Sequence, residues 1–320
     1  MRESVHIDSG ALAAEIVTTG AAIRSIYLPG ISHSLVLGVR DLGYYQAGND
    51  EYFGATIGRF ANRIGAGHLQ IEGEAHRLAC NDPPNHLHGG PTGFSVRSWA
   101  IEERRKDSVT LAYVSQDGEE GYPARVEARA TFAVSNDAAL TITYEAETDR
   151  TTVVNLTSHL YFNLDGDGDI RYHRLDVAAD HYLPIDAGAL PDGRILPVAG
   201  TLFDFRQAKP LRDAPDPLDH NFCLARGTTS EPRPVATLAS PRSGVRMRLA
   251  TPEPGLQVYN GAKLDGTVLD LAGRPIGSRA AVALEPQGWP DSPNRPDFPP
   301  AVLRPGETYR HRSVYRFEIF

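Results

Sequence analysis

Residues 126–146 read VEARATFAVSNDAALTITYEA and contain the clearest structural pattern in the chain. Apolar residues occupy alternate positions from Val126 to Val134, and the alternation resumes at Leu140 after the polar residues 135–137. Successive side chains of a strand point to opposite faces of a sheet. The pattern therefore predicts two antiparallel strands joined as a hairpin, each with one buried face.

Comparable short runs recur along the whole chain. In residues 309–319 the apolar side chains again fall at alternate positions, and further strands are predicted at 11–17, 23–28, 68–71, 97–103, 109–114, 152–158, 175–179, 235–239, 245–250, 256–259 and 281–285. No long segment combines helical apolar spacing with helix caps, and 30 Gly and 24 Pro interrupt the chain. This organisation predicts an all-β fold of antiparallel sheets, arranged as a sandwich or a barrel.

The chain is predicted to form a single domain over residues 1–320. All-β domains of this length are common, and no internal repeat is visible. The proline-rich stretch 286–305 resembles a linker in composition, but it contains Trp289 and Phe298. Flexible linkers rarely carry large aromatic residues, so we predict an ordered loop packed on the sandwich.

Composition limits the classes of partner. The 32 Lys and Arg against 40 Asp and Glu give a net charge of −8, which disfavours nucleic acid and anionic membrane surfaces and favours a small, weakly polar substrate.

The N-terminus lacks the apolar segment of a signal peptide, and no apolar run reaches the ~18 residues of a membrane span. We expect a cytoplasmic protein, a monomer or a weak homodimer, in which Cys80 and Cys223 are buried, inert thiols rather than a disulfide.

Histidines supply the first candidate site residues. His86 and His88 are two positions apart, as in some metal sites, but flanking Pro and Gly favour a loop in which one imidazole faces a ligand and the other bonds the backbone. His159 ends a predicted strand and could be a satisfied, partly buried residue. Short polar side chains surround it at Asn155, Thr157, Ser158 and Asn163, a density that is costly to bury and useful for binding a polyol.

A carboxylate and two guanidinium groups complete this set. Glu285 follows the apolar residues 281–284, where loss of hydration would raise its pKa and suit a general base, although a strand-end Glu paired to Arg is the alternative. Arg59 and Arg63 could each donate hydrogen bonds to sugar oxygens or lie solvated at the surface. Asp219 lies in a loop rich in Pro and Asp, where turn or capping roles are usual.

Taken in order, these motifs resemble the aldose 1-epimerase (galactose mutarotase) family. The resemblance rests on segments that span nearly the whole chain: GATIGRFANRI (54–64), NHLHGG (85–90), NLTSHLYFNL (155–164), LDHNF (218–222), PGLQVY (254–259), LEPQ (284–287) and LRPGETY (303–309). It implies a large antiparallel β-supersandwich and interconversion of the α and β anomers of a free aldose, without a cofactor or a metal. It also implies that Glu285 is the general base and His159 the general acid, and that the sugar is bound by Arg63, His88, Asp219 and Gln257.

Some positions depart from the family pattern. Ser158, Leu160, Asn260 and Ala262 stand where other residues are usual in the family. The resemblance therefore leaves the preferred sugar open among galactose, glucose, xylose, arabinose and other aldoses. Stacking of Tyr161 or Trp289 on the sugar is a further hypothesis.

Three other functions remain as alternatives. A glycoside hydrolase or lyase on the same sandwich would use two carboxylates, for which Asp219 and Glu285 are the candidates. A non-catalytic carbohydrate-binding module would not need the acid and base that His159 and Glu285 supply. A His-x-His metalloprotein would lose activity to a chelator.

Overall fold

The computed structural model describes residues 4–320. The strands β1–β26 span, in chain order, Ser4–Asp8, Ala13–Val17, Ala22–Tyr27, Thr56–Ile57, Arg63–Ile64, His68–Ile71, Glu74–Arg77, His86–Leu87, Ala100–Arg104, Ser108–Ser115, Val126–Val134, Ala139–Thr148, Thr152–Val153, Thr157–Ser158, Tyr161–Phe162, Arg174–Val177, His181–Tyr182, Leu196–Pro197, Lys209–Pro210, Asp219–Cys223, Arg233–Ser240, Val245–Thr251, Gly255–Tyr259, Val282–Gln287, Val302–Leu303 and Tyr309–Ile319. The described chain has one α-helix, α1 (Leu42–Ala47), and short 3₁₀ turns at Gly65–Gly67, Phe94–Val96, Glu119–Gly121, Leu211–Asp213 and Ser292–Asn294.

The largest sheet has nine antiparallel strands in the order β19-β16-β21-β22-β26-β12-β11-β10-β9. The hairpin predicted from residues 126–146 lies inside this sheet between β26 and β10, with Val126 opposite Thr148 and Val134 opposite Leu140. Burial alternates along β11 as expected for a strand with one core face. The edges of this sheet are β19, of two residues, and β9, of five.

A second sheet has six strands in the order β15-β24-β23-β20-β17-β18. One of its faces packs towards the nine-stranded sheet, because Phe222, Leu256 and Leu284 join Phe132 and Phe317 in one hydrophobic cluster. Two antiparallel sheets that share a core form a sandwich, and the all-β antiparallel prediction is confirmed. The polar face of the six-stranded sheet points away from this core and forms the base of the site described below.

Smaller ladders fasten loops to the sandwich. Strand β5 pairs with β8, and β4 pairs with β14. A separate three-stranded sheet, β1-β2-β3, contributes Val5 and Ile23 to the shared core. Because a core of this extent draws on residues from both ends of the chain, it supports the single-domain organisation, which stays a prediction.

The structure tests several of the predictions made from the sequence. Trp289 and Phe298 are buried, so the stretch 286–305 is packed as expected. The strand predicted at 152–158 is wrong as a continuous element: it consists of β13 and β14, and the backbone of Asn155 between them instead bonds to Arg59 and Ala61. Within residues 4–320, no helix is long and apolar enough to cross a membrane.

The prediction for the cysteines is partly wrong. Both thiols are free, but Cys80 is exposed, because it lies in a polar loop after β7 rather than in the core. Cys223 is half-buried, and burial raises the pKa of its thiol to about 12, so the thiolate is scarce at neutral pH.

Candidate active site

The polar face of the six-stranded sheet brings three distant motifs into register. Asn221 in β20 lies opposite Gln257 in β23, and Gln257 lies opposite Glu285 in β24. Because side chains alternate across a strand, these three point to one face while their apolar neighbours enter the core. Asp219 and Tyr259 form the adjacent pair on the same two strands.

His159 reaches this face from the β4–β14 ladder. After the last pair of that ladder, the backbone N–H of His159 donates to the Ala55 carbonyl at 2.9 Å, and its carbonyl accepts from Gly54 at 3.0 Å. The imidazole Nε2 is 3.6 Å from Glu285 Oε1. Both side chains are almost fully buried, with residue exposures of 4% for His159 and 1% for Glu285.

Burial shifts the two pKa values in opposite directions. Loss of hydration raises the pKa of Glu285 well above its ordinary value, helped by Asp219 and opposed by Arg63. Loss of hydration lowers the pKa of His159 to about 4, although Asp219 partly opposes the shift. Both shifts favour uncharged forms, so between the two pKa values the pair holds one proton and has no net charge.

The neighbouring imidazole, His88, has a fixed tautomer. The backbone N–H of Asn62 donates to His88 Nδ1 at 3.1 Å. In return, the backbone N–H of His88 donates to the Asn62 carbonyl. A ring nitrogen that accepts a hydrogen bond carries no proton, so neutral His88 has its proton on Nε2. Burial lowers the pKa of His88 well below its ordinary value, which keeps the ring neutral and Nε2–H a donor.

His86 points elsewhere and is satisfied within the protein. Its Nδ1 donates to the Ala79 carbonyl at 2.7 Å, and its Nε2 accepts from the Tyr122 hydroxyl at 2.7 Å. The two imidazoles of the His-x-His pair diverge because His88 has a positive φ of 51°, which ends the strand geometry that would place them on one face. One imidazole thus enters the site and the other bonds the backbone.

The donor set is a poor match for a metal ion. Ligand atoms of His88, His159 and Glu285 lie within 4.8 Å of one another. A metal-binding imidazole must present an unprotonated nitrogen, but the bond from Asn62 keeps the proton of His88 on Nε2. The residues therefore fit an acid–base site better than a metal centre.

Charged and amide groups form the rest of the site. Gln257 Nε2 donates to Asp219 Oδ1 at 2.6 Å, and Arg63 Nη1 is 3.7 Å from Asp219 Oδ2. Arg63 Nε also donates to Asp82 Oδ2 at 2.7 Å, a contact between residues 19 positions apart that no motif in the sequence indicates. The β5–β8 ladder explains how Arg63 comes close to His88, because Arg63 lies opposite Leu87.

Arg59 has a structural position instead. It is 2% exposed and donates to the Ser115 hydroxyl and to the carbonyls of Ser115, Gln116 and Pro123. With its donors committed to the protein, Arg59 is not placed to reach the polar face. Of the two arginines in this motif, only Arg63 contacts Asp219 within the part of the chain that the structure describes.

Aromatic rings surround His159. The ring of Tyr161 lies 4.8 Å from the imidazole, and the ring of Tyr52 lies 5.8 Å from it, between centroids. Tyr52 was missed in the sequence, because its position depends on a turn with positive φ that no apolar pattern marks. Trp289 is fully buried against Phe298 and donates to the Pro254 carbonyl, so the structure does not support its stacking on a sugar.

A cleft of about 830 Å³ lies away from these groups. It is bounded by residues 227–232 and 299–303 and contains none of the six predicted site residues. Glu253 lines it and is 2% exposed, and burial raises the pKa of this carboxyl to about 8. The convergent acid, base and amide groups, rather than cavity size, mark the candidate active site.

Comparison with known proteins shows the family of this chain. The model of the aldose 1-epimerase family matches residues 3–316. The chain is 39% identical to galactose mutarotase from Mus musculus, over 99% of this chain and 94% of that protein, and 36% identical to aldose 1-epimerase from Escherichia coli K12, over 97% and 93%. The crystal structure of an aldose epimerase homologue from C. elegans superposes with a TM-score of 0.94 at 28% identity, covering 100% of this chain and 99% of that one, which confirms the β-supersandwich. The chain belongs to the aldose 1-epimerase family.

Proposed function

We propose that this chain interconverts the α and β anomers of a free aldose by opening and closing the sugar ring, with Glu285 as general base and His159 as general acid. The observation that carries the proposal is the buried pair itself, with 3.6 Å between His159 Nε2 and Glu285 Oε1. A ring-opening reaction needs one group to remove a proton while another donates one. The pair supplies both groups at one place.

In the proposed mechanism, the Glu285 carboxylate takes the proton of the C1 hydroxyl while the His159 imidazolium donates a proton to the ring oxygen. The bond from C1 to the ring oxygen breaks, which leaves the open-chain aldehyde. Rotation about C1–C2 turns the other carbonyl face towards the new hydroxyl. On closure, this hydroxyl attacks C1 and returns its proton to His159, while Glu285 returns its own proton to the carbonyl oxygen.

The one-proton pair fits this sequence of steps. Opening begins with an anionic Glu285 and a cationic His159 and ends with both groups neutral, and closure reverses the change. Both states contain one proton and have no net charge, but burial favours the neutral one, so the ion pair that starts the opening forms when that proton moves from Glu285 to His159. Because the pair keeps one proton between the two shifted pKa values, pH changes around neutrality do not alter its proton count.

We further propose that Arg63, His88, Asp219 and Gln257 bind the hydroxyl groups of the sugar. His88 would offer the Nε2–H donor that Asn62 fixes, and Asp219 would accept while Arg63 and Gln257 orient its carboxylate. A sugar hydroxyl both donates and accepts, so a site with both kinds of group can satisfy it. The same contacts argue against a hydrolase, because Asp219 is engaged by a cation and an amide instead of being free as a second catalytic carboxylate.

The substrate follows from chemistry and from the relatives. Nothing in the proposed steps needs more than a hemiacetal and neighbouring hydroxyls, so galactose, glucose, xylose and arabinose are all candidates. The names of the mammalian relatives favour galactose as the first sugar to assay. Action in the cytoplasm as a monomer or weak homodimer, without nucleic acid or membrane partners, stays part of the proposal, and the net charge of −8 supports the exclusion of polyanions.

The test is NMR exchange spectroscopy of the anomeric protons of galactose, glucose, xylose and arabinose with catalytic amounts of protein. We expect exchange well above the buffer rate with the wild type. With Glu285→Gln and His159→Asn it should fall by about 10²–10⁴-fold. A variant that retains more than a tenth of the wild-type rate would remove that residue from its proposed role. Binding without accelerated exchange would favour a carbohydrate-binding module, and release of sugar from a glycoside would favour a hydrolase.

A further inference from the structure

Tyr52 combines an unusual backbone conformation with an unusual position. Its φ is +58°, a conformation that residues other than Gly rarely adopt. Its ring lies edge-on to His88, with 4.6 Å between centroids, and stacks over His159 at 5.8 Å with 28° between the planes. His88 and His159 also contact each other at 5.4 Å, so the three rings form one cluster.

The turn that holds Tyr52 is well anchored. The buried side chain of Asn49 accepts from the Phe53 N–H at 2.8 Å and donates to the Phe53 carbonyl at 3.3 Å, and the Tyr52 N–H donates to the Asn49 carbonyl at 2.7 Å. A strained conformation persists only where surrounding bonds determine it, and such residues concentrate at functional sites. The anchored turn fixes where the side chain of Tyr52 leaves the backbone, and so holds its ring against His88 and His159.

The same turn holds the backbone of His159. Gly54 and Ala55, which follow Tyr52 by two and three residues, make the two backbone hydrogen bonds of His159. The segment 52–55 thus contacts His159 at two places: Gly54 and Ala55 bond to its main chain, and the ring of Tyr52 stacks on its imidazole. A ring fixed at both points has little freedom to change its orientation.

We propose that Tyr52 is a positioning residue, whose ring fixes the imidazoles of His159 and His88 and keeps water from their faces. The inference rests on the proposed function, because it assigns Tyr52 a part in the same acid–base site. Tyr52 acts through the two imidazoles, and no step of the reaction passes through its hydroxyl. The ring, rather than the phenol oxygen, is the part that matters.

The consequence for His159 follows from what surrounds it. The titratable groups that face its imidazole are Glu285 from β24, Asp219 from β20, and His88, Tyr52 and Tyr161. Desolvation is the largest cause of its lowered pKa, so removing a covering ring admits water and moves that pKa from about 4 towards the ordinary 6.5. Activity is lost when the pair gains a second proton, so the acid limb of the pH–rate profile moves to higher pH.

The experiment compares Tyr52→Ala, which removes the ring, with Tyr52→Phe, which keeps it. Tyr44→Ala is the matched control, because Tyr44 lies in the adjoining helix and packs on Tyr45 and Phe53 without touching an imidazole. For Tyr52→Ala we expect kcat to fall about tenfold, KM to change less than threefold, and the acid limb to rise by about one pH unit. Tyr52→Phe should match the wild type within twofold, and Tyr44→Ala should leave the acid limb in place.

Two outcomes would overturn the inference. An unmoved acid limb in a folded Tyr52→Ala protein would reduce Tyr52 to a packing residue, and loss of activity in Tyr52→Phe equal to that in Tyr52→Ala would assign the effect to the hydroxyl. NMR titration of the His159 imidazole, with its resonance identified by His159→Asn, gives a readout that does not depend on turnover. If the wild type does not accelerate anomer exchange, the proposed function fails, but the titration still shows whether the ring of Tyr52 controls His159.

Discussion

Replacing Glu285 with Gln should inactivate the protein and stabilise it at the same time. The substitution keeps the size and shape of the side chain and replaces the ionisable carboxyl group by an amide that stays neutral at every pH. Glu285 is 1% exposed and its pKa is raised well above 4.5 by burial. In the unfolded chain the carboxyl is solvated and ionises near its ordinary pKa.

The sign of the stability effect follows from linkage. Below pH 4.5 the carboxyl is protonated in both states, and the wild type and Glu285→Gln should have similar free energies of unfolding. As the pH rises above 4.5, the unfolded state of the wild type gains stability from ionisation that the folded state cannot match. The folded wild type therefore loses up to about 1.4 kcal/mol per pH unit above pH 4.5 relative to the variant, with a ceiling of about 3.5 kcal/mol at pH 7.

Urea denaturation at pH 4.5, 6 and 7 measures this difference, alongside NMR anomer exchange. Glu253→Gln is the matched control, because Glu253 is equally buried, has a pKa raised to about 8 and lies in the cleft away from the site. It should gain stability with the same pH dependence and keep full activity. Glu74→Gln, at an exposed position, should change neither quantity.

Two results would refute the reasoning. A stability gain of the same size at pH 4.5 and pH 7 would mean that the effect has nothing to do with ionisation. A Glu285→Gln protein that is destabilised at pH 7 would mean that the carboxyl is ionised and well paired in the folded state.

Further predictions concern pH, the two arginines, metal ions and packing. The rate of anomer exchange should be nearly constant around neutral pH. It should fall as the pH drops through about 4, where the pair of His159 and Glu285 gains a second proton, and fall again in alkali as Glu285 loses its proton. A pH–rate profile with a single limb near pH 6.5 would contradict this prediction. Arg63→Met should raise KM at least tenfold, and its cost in unfolding free energy should be the smaller one, because its partners Asp82 and Asp219 are partly exposed and can be hydrated. Arg59→Met should cost about 1–3 kcal/mol of stability, because it leaves the buried Ser115 hydroxyl and carbonyl without their donors; steady-state kinetics and urea denaturation separate the two variants. Dialysis against EDTA should leave the exchange rate unchanged within error, because the bond from Asn62 keeps a proton on Nε2 of His88 and so leaves no free ring nitrogen for a metal ion. Loss of activity that zinc restores would reverse that conclusion. Gly255→Ala should lower stability by about 1–3 kcal/mol, since the new Cβ would lie 2.4 Å from a side-chain oxygen; an unchanged melting temperature would show that this neighbour moves aside freely.

Strand positions were predictable where one face of a strand is buried and the other is solvated. The strands Val126–Val134 and Tyr309–Ile319 have the predicted bounds, because alternation records the two environments directly. The segment 152–158 contained the right residue types for a strand, but its backbone partners lie in a distant motif. Only the folded chain specifies those partners.

The site residues were predictable in identity but not in arrangement. Glu285 and Gln257 lie in strands buried on both faces, where alternation disappears and the polar members are identified by resemblance to relatives. The fixed tautomer of His88 depends on a backbone N–H from another segment, and the contact with Asp82 depends on the reach of Arg63. Such features arise from three-dimensional proximity and have no one-dimensional signal.

The edges of the nine-stranded sheet bear on how the protein behaves at high concentration. An unpaired edge strand invites another chain to extend the sheet, which leads to aggregation or to dimers joined edge to edge. Here one edge, Lys209–Pro210, is two residues long, and its proline has no N–H to donate. The other edge, Ala100–Arg104, carries Glu102, Glu103 and Arg104 exposed to solvent. Neither edge is a good template for strand addition, so we expect concentrated solutions to resist the growth of intermolecular β-structure.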